Sequence, residues 1–210
     1  MKVLLVNGSG RPNGCTNVGL TEMEKILNSQ GIETEMIFIG NGPLRDCTEC
    51  MKCRELKNRC IFNDDIVNEF IQKAESADGF VYGSPVYFAS PSARIQALLD
   101  RSYFAAKNVF RHKPGCAIVS ARRAGTTAAL EVLNKYISYT ESPLVTSSYW
   151  PMIHGREPEQ VLKDEEGLQT IRNLARNMAW LLHCIEDGKA AGHPTPDNEY
   201  GKITDFNRSV

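Results

Sequence analysis

Short apolar or β-branched runs alternate with stretches of helical period along most of this chain, and that alternation leaves few folds open. Strands separated by helices line up parallel, with the helices covering both faces of one sheet. Lys2–Asn7 (KVLLVN) reads as a buried strand, followed by the turn-rich Gly8-Ser9-Gly10-Arg11-Pro12-Asn13-Gly14. A helix is expected over residues 17–29, where Val18, Leu20, Met23, Ile26 and Leu27 recur at near-helical spacing and Gly31 stops the run. Residues 33–39 form a second strand, less apolar and so nearer an edge. A helix capped by Asp64 or Asp65 and running to Ala77 precedes a third strand, which begins at Phe80 and continues into GSPVYF. Ser90 and Pro91 then read as an N-cap and first helical residue, with the helix continuing over residues 92–106. A short fourth strand over residues 116–120, a helix at Thr126–Tyr139, a fifth strand over residues 144–149 and a long amphipathic helix over residues 165–187 complete the series.

At 210 residues the chain suits one domain with an elaboration. Residues 1–187 are expected to form that domain, residues 41–63 a Cys-rich insert, and residues 188–210 a C-terminal tail or oligomerisation arm. With 24 basic and 25 acidic residues the net charge is −1, which supplies no basic field for nucleic acid or an acidic membrane and leaves room for a local phosphate pocket. No run of about 18 apolar residues predicts a membrane span. The opening MKVLLVNGSG has no apolar stretch followed by a cleavage site, so a reducing cytoplasm is the expected compartment. There, clustered cysteines point to metal or redox chemistry before disulfides.

In an open parallel sheet, ligands bind outside the carboxyl ends of the strands. Three loops of unusual composition fall there. Ser9 to Asn17 offers glycines, the hydroxyls of Ser9 and Thr16, the guanidinium of Arg11, and at Gly14 and Cys15 the free N–H groups of a helix start, a combination suited to a terminal phosphate. It is not an ATPase phosphate loop, since Gly14 is followed by Cys15 where lysine would be needed. Nor is it a dinucleotide fingerprint, since position 13 is Asn and the second strand ends without an acid. Pro85, Val86, Tyr87 and Phe88 place a rigid proline and two aromatics after a buried strand, suited to flanking a flat ring or to packing in the core. Ser120-Ala121-Arg122-Arg123-Ala124-Gly125 brings two arginines to the same rim, either solvated or stabilising negative charge on a bound ring.

These strings resemble the flavodoxin-like NAD(P)H-dependent FMN reductases and, within them, the iron–sulfur flavoproteins: Asn7-Gly8-Ser9-Gly10-Arg11 through Thr16-Asn17, Asp78-Gly79-Phe80-Val81 through Gly83-Ser84-Pro85-Val86-Tyr87-Phe88, and Gln96-Ala97-Leu98-Leu99-Asp100-Arg101. The resemblance implies an α/β, flavodoxin-like, doubly wound five-stranded parallel sheet binding FMN. The phosphate would lie on Ser9, Arg11, Thr16 and Asn17, in the loop that also holds Gly14 and Cys15. The flavin ring would lie on Pro85, Val86, Tyr87 and Phe88, with Ser120, Arg122 and Gly125 closing another side. The chemistry would be the flavin's, with no catalytic acid or base. A homodimer or homotetramer would complete a pocket so near the surface.

Cys47-x2-Cys50-x2-Cys53-x6-Cys60 resembles the compact motif holding a [4Fe–4S] cluster in the iron–sulfur flavoproteins, with four-thiolate zinc and unmetallated cysteine as the alternatives. Cys116 and Cys184 read as small hydrophobes, and Cys15 as packing beside the first loop. Trp150, Pro151 and His154 read as ordinary loop packing, with covering of the flavin as the alternative; His112 and His193 read as surface residues. Two functions follow. One is an FMN-dependent oxidoreductase passing electrons from NAD(P)H to a quinone, free flavin or other small acceptor. The other is an electron carrier exchanging single electrons with a ferredoxin-like protein; a non-redox flavin- or zinc-binding module is a third alternative.

Overall fold

The computed structural model describes residues 1–202 and 204. The chain opens with β1 (Lys2–Asn7), α1 (Cys15–Ser29) and β2 (Glu33–Phe38), then passes through a long segment containing a 3-10 turn at Lys52–Glu55. It continues with α2 (Val67–Glu75), β3 (Gly79–Tyr87), β4 (Ser90–Pro91), α3 (Ala93–Phe110), β5 (Gly115–Ala121) and α4 (Thr126–Tyr139). It closes with β6 (Met152–His154), α5 (Pro158–Val161) and α6 (Glu165–Ala190). Five parallel strands stand in the order β2-β1-β3-β5-β6, and β4 folds back antiparallel on the end of β3. The less apolar second strand is at an edge, as its composition implies.

Alternate strand residues face opposite layers. Leu4, Val6, Phe80, Tyr82, Ala117 and Val119 pack with α2, α3 and α4, while Val3, Leu5, Val81, Cys116 and Ile118 pack with α1 and α6. The strand order reverses about β1 and β3, so the connections leaving those two strands diverge and open a crevice at their carboxyl ends. Among the described residues no helix is long and apolar enough to cross a membrane.

Several boundaries differ from the expectation. Residues 144–149 do not form the fifth strand; Leu144 makes one bridge to Gly115, and the strand forms instead at Met152–His154 beside β5. Side chains of α6 explain the shift: Asn177 donates to the Thr146 carbonyl (2.8 Å) and Asn173 to the Ser148 hydroxyl (3.0 Å), while the Ser147 hydroxyl donates to the Thr170 carbonyl (2.6 Å). Ser90 and Pro91 belong to β4, and Ser92 caps α3, its hydroxyl accepting from the Ile95 N–H. The cause is a tight turn in which Phe88 and Ala89 both have positive φ (50° and 59°), folding the chain back on β3. α1 begins at Cys15, α3 runs to Phe110 across a non-helical Ala106, and α2 is confined to Val67–Glu75. Asp65 accepts from the Val67 N–H (3.2 Å), whereas Asp64 pairs with Arg45. α6 extends to Ala190 and leaves Cys184 exposed rather than packed. Beyond it, Tyr200 and Asn198 donate to Glu141, whose carboxyl these bonds and Arg111 hold down at about 2. Of the expected arm, residues 203 and 205–210 lie outside the described residues.

Candidate functional site

The first loop is shaped from within. Asn7, at the end of β1, accepts from the Ser9 N–H (3.0 Å) and donates to the Pro12 carbonyl (3.2 Å), and Ser9 Oγ accepts from the Arg11 N–H (3.1 Å). Gly14 caps α1 with no side-chain bond; the Asn17 N–H turns back to the Gly14 carbonyl (3.0 Å), and the N–H groups of Cys15 and Thr16 carry no side-chain acceptor at the helix start. Ser9, Gly14 and Thr16 are buried, Cys15 and Asn17 half-buried, and Arg11 exposed.

Three contacts stitch the loops together. Thr16 Oγ1 and Ser120 Oγ share a buried hydrogen bond of 2.8 Å, joining the first loop to the third. Ser92 donates from Oγ to the Gly8 carbonyl (2.7 Å), joining the first loop to the start of α3. Gly125 has φ 90° and lies so close to the hairpin that a Cβ there would meet Ala89 Cα at 2.8 Å, so both space and backbone conformation call for glycine. All three strand-end loops therefore form one rim. On it Pro85 and Val86 are half-buried in β3, while Tyr87, Phe88 and Arg122 stand exposed.

A fourth loop, outside the three read from the sequence, joins the rim. The Cys15 thiol donates to the Gly155 carbonyl (3.6 Å), and Arg11 pairs with Glu157 (3.2 Å) across an exposed gap. The signal available was Glu157-Pro158 with Gln160, a capping box that fixes Glu157 at the start of α5. Burial pushes the Cys15 thiol up, and Glu157 and Glu159 add to this against the opposing Arg11, so Cys15 is a packed neutral thiol. His154 turns to Asp164, which accepts from its backbone N–H (2.7 Å). Trp150, packed edge-on to Tyr149 at 5.1 Å, lines a separate open cleft with Leu130, Asn134 and Leu144. Cys116 is buried, and burial pushes its thiol up. His112 is half-buried and His193 exposed.

The structure brings Cys47, Cys50, Cys53 and Cys60 around one narrow cleft. Burial pushes the Cys53 thiol up, and the proximity of Cys60, Cys47 and Cys50 adds to it. Cys60, at the wall against α3, is the buried member. Asn68 of α2 clamps it, accepting from its N–H (2.9 Å) and donating to its carbonyl (3.0 Å) and to that of Phe62 (2.9 Å). Arg101 also lines the cleft, and its buried Nε has no hydrogen-bond partner. Four soft donors around one space, beside a buried arginine with a spare N–H, fit a thiolate-held centre. Among the described residues no group of three or more His, Cys, Asp or Glu side chains is gathered as it would be around a bound metal ion.

The family model for NADPH-dependent FMN reductases matches residues 1–157. An iron–sulfur flavoprotein of Methanocaldococcus jannaschii is 32% identical over 195 residues, covering 89% of this chain and 100% of the relative. One from Archaeoglobus fulgidus is 31% identical, covering 87% of this chain and 99% of the relative. The solved structure of an archaeal flavodoxin superposes with a TM-score of 0.58 at 15% identity, over 87% of this chain and 99% of that one, so the fold is flavodoxin-like.

Proposed function

The chain belongs to the NADPH-dependent FMN reductase family and is a flavin-dependent oxidoreductase, and from that premise we propose that it holds FMN along the stitched rim and draws electrons from NAD(P)H. Its acceptor is a quinone, free flavin or other small molecule. The observation that carries this is the Thr16–Ser120 bond with the close Gly125–Ala89 approach, which fixes the phosphate-type loop, the Pro85–Phe88 hairpin and the arginine loop on one edge. When bound, FMN supplies the hydride and electron chemistry. The chain binds and orients: the uncapped start of α1 and the Ser9 and Thr16 hydroxyls receive the phosphate, assisted by Asn17 and by Arg11 once it turns from Glu157. Pro85 to Phe88 provide the wall for the ring, and Arg122, with Ser120 and Gly125, the side where negative charge is stabilised. Anaerobic mixing of the flavin-loaded protein with NADPH tests this: rapid bleaching of the flavin absorbance is expected, and a flavin that stays oxidised sinks the donor assignment.

A second reading rests on the four-thiol cleft. Two relatives named iron–sulfur flavoproteins span nearly the whole chain, and Cys47, Cys50, Cys53 and Cys60 would hold a [4Fe–4S] cluster that exchanges electrons with a ferredoxin-like protein. Iron and sulfide analysis after anaerobic purification decides it, with about four of each per chain expected for such a cluster. The exposed Tyr87 and Phe88 suit a site completed by a second copy, as a homodimer or homotetramer; a monomer in light scattering would remove that part.

A further inference from the structure

Arg101 lies on α3 beneath the cysteine segment and is only 2% exposed. From Nη2 it donates to Cys60 Sγ (3.4 Å) and to the Phe62 carbonyl (3.4 Å); from Nη1 it donates to the Arg45 carbonyl (3.3 Å) and to the Asp65 carboxylate. A buried ion pair of this kind is poor value as a stabilising device, because desolvating both charges offsets most of their attraction and an apolar pair of the same volume would do as well. The cation is set against the sulfur of one cysteine of the four, the one whose backbone Asn68 also clamps. Its remaining donor, Nε, is buried without a hydrogen-bond partner, and Arg101 itself lines the same cleft.

We propose that Arg101 is a positioning residue for the four-cysteine centre, holding Cys60 as a ligand through its N–H···S bond and setting the centre's reduction potential through its charge, with Asp65 as the opposing charge. This rests on the reading that the centre is an iron–sulfur cluster. Reduction adds negative charge that is shared with the ligand sulfurs. A fixed cation and a hydrogen bond at one sulfur therefore favour the reduced form and raise the potential. Asp65, nearly as buried as Arg101, works the other way.

Three full-length variants test the role, each purified anaerobically, analysed for iron, sulfide and FMN, and followed by potentiometry with electron paramagnetic resonance. Arg101→Gln is expected to favour the oxidised centre at least tenfold, a downward shift of about 59 mV for a one-electron couple. Arg101→Lys keeps the charge and returns most of that shift. Asp65→Asn moves the potential upward, a change of sign that a purely structural role would not produce. Should Arg101→Gln fail to hold FMN or iron, the other two variants decide: Arg101→Lys near wild type with Asp65→Asn above it supports the role. A loaded wild type whose potential is matched in Arg101→Lys and Asp65→Asn alike, with Arg101→Gln unshifted or unloaded, overturns the role and leaves the cluster standing. A wild type free of iron and sulfide overturns the cluster reading and this role with it.

Discussion

The strand-end rim and the cysteine segment reach their shapes by different means. Every loop of the rim begins or ends on a strand or long helix, and the loops are joined to one another by short buried contacts such as Thr16–Ser120. Residues 41–63 hold one 3-10 turn and carry positive φ at Glu49, Met51 and Asn58, conformations that cost energy in non-glycine residues and need outside support. That support comes from the helices, partly by packing of Leu44, Cys60 and Phe62 on the core and partly by polar bonds: Arg94 donates to the Gly42 carbonyl (2.9 Å), Asn68 clamps Cys60, and Arg101 ties Arg45, Cys60, Phe62 and Asp65. The rim is thus a consequence of the sheet, and the insert a tenant of α2 and α3. Its dependence on the sheet is one-way.

That asymmetry is broken most directly at Cys60. On the iron–sulfur reading, Cys60→Ser should lower bound iron by roughly tenfold or more, since a ligand counts for more than the surrounding shell that already governs metal affinity tenfold to a hundredfold. Its FMN content should be unchanged, because Cys60 touches nothing on the rim. Equal loss of flavin and iron would show that the two regions fold as one. At the rim, Arg11→Ala should weaken FMN binding about tenfold to a hundredfold, the loss of a hydrogen bond to a charged group worth about 1.5–3 kcal/mol. Its iron content should stay constant. Glu157→Gln frees Arg11 and should tighten FMN a few-fold; titration of the flavin-free protein by flavin fluorescence measures both.

A smaller effect is expected at Asn68. Asn68→Ala removes partners from the Cys60 N–H and from the Cys60 and Phe62 carbonyls, at a cost of about 1–3 kcal/mol confined to the segment. Trypsin should then nick the chain faster between Arg45 and Arg59 at neutral pH, with the far-ultraviolet circular dichroism unaltered. A parallel fall in helix signal would contradict one-way dependence.

What the sequence made legible follows the same division. The parallel sheet, its edge strand and the three rim loops could be read because periodicity and turn residues are local, and the sheet converts local pattern into position. Residues 144–149 misled because Leu144-Val145-Thr146 has strand-like composition, while the bonds that prevent a ladder come from Asn173 and Asn177 far along the chain. Ser90-Pro91-Ser92 contains two cap candidates, and only the hairpin geometry selects the second. Cys184 shared a helical stripe with Leu181 and Ile185 but lies just off the buried face. Glu157 and Arg101 were out of reach for one reason: their partners Arg11 and Cys60 stand 146 and 41 residues away, and no spacing rule connects them.

The mildest probe is alkaline pH, and it acts from the sheet side. Tyr82 on β3 and Tyr103 on α3 share a buried hydroxyl contact of 2.6 Å, and burial pushes both phenols up. In the native state they stay protonated where an exposed phenol, near 10, ionises. Above that value the unfolded chain therefore binds fewer protons than the folded one, and stability falls as pH rises; below it the contribution is fully present. Each such group removes at most about 1.4 kcal/mol per pH unit. Tyr103 stands two residues from Arg101 on the same helix and stacks on Phe110 at 4.2 Å, so loosening this core withdraws the anchor of the cysteine segment. Urea unfolding midpoints should drop between pH 9 and 11, less steeply in Tyr103→Phe, and tryptic nicking of residues 45–59 should rise together with the loss of helix. Nicking that runs ahead of helix loss in alkali would mean that the segment lets go on its own, and the dependence on α3 would have to be abandoned.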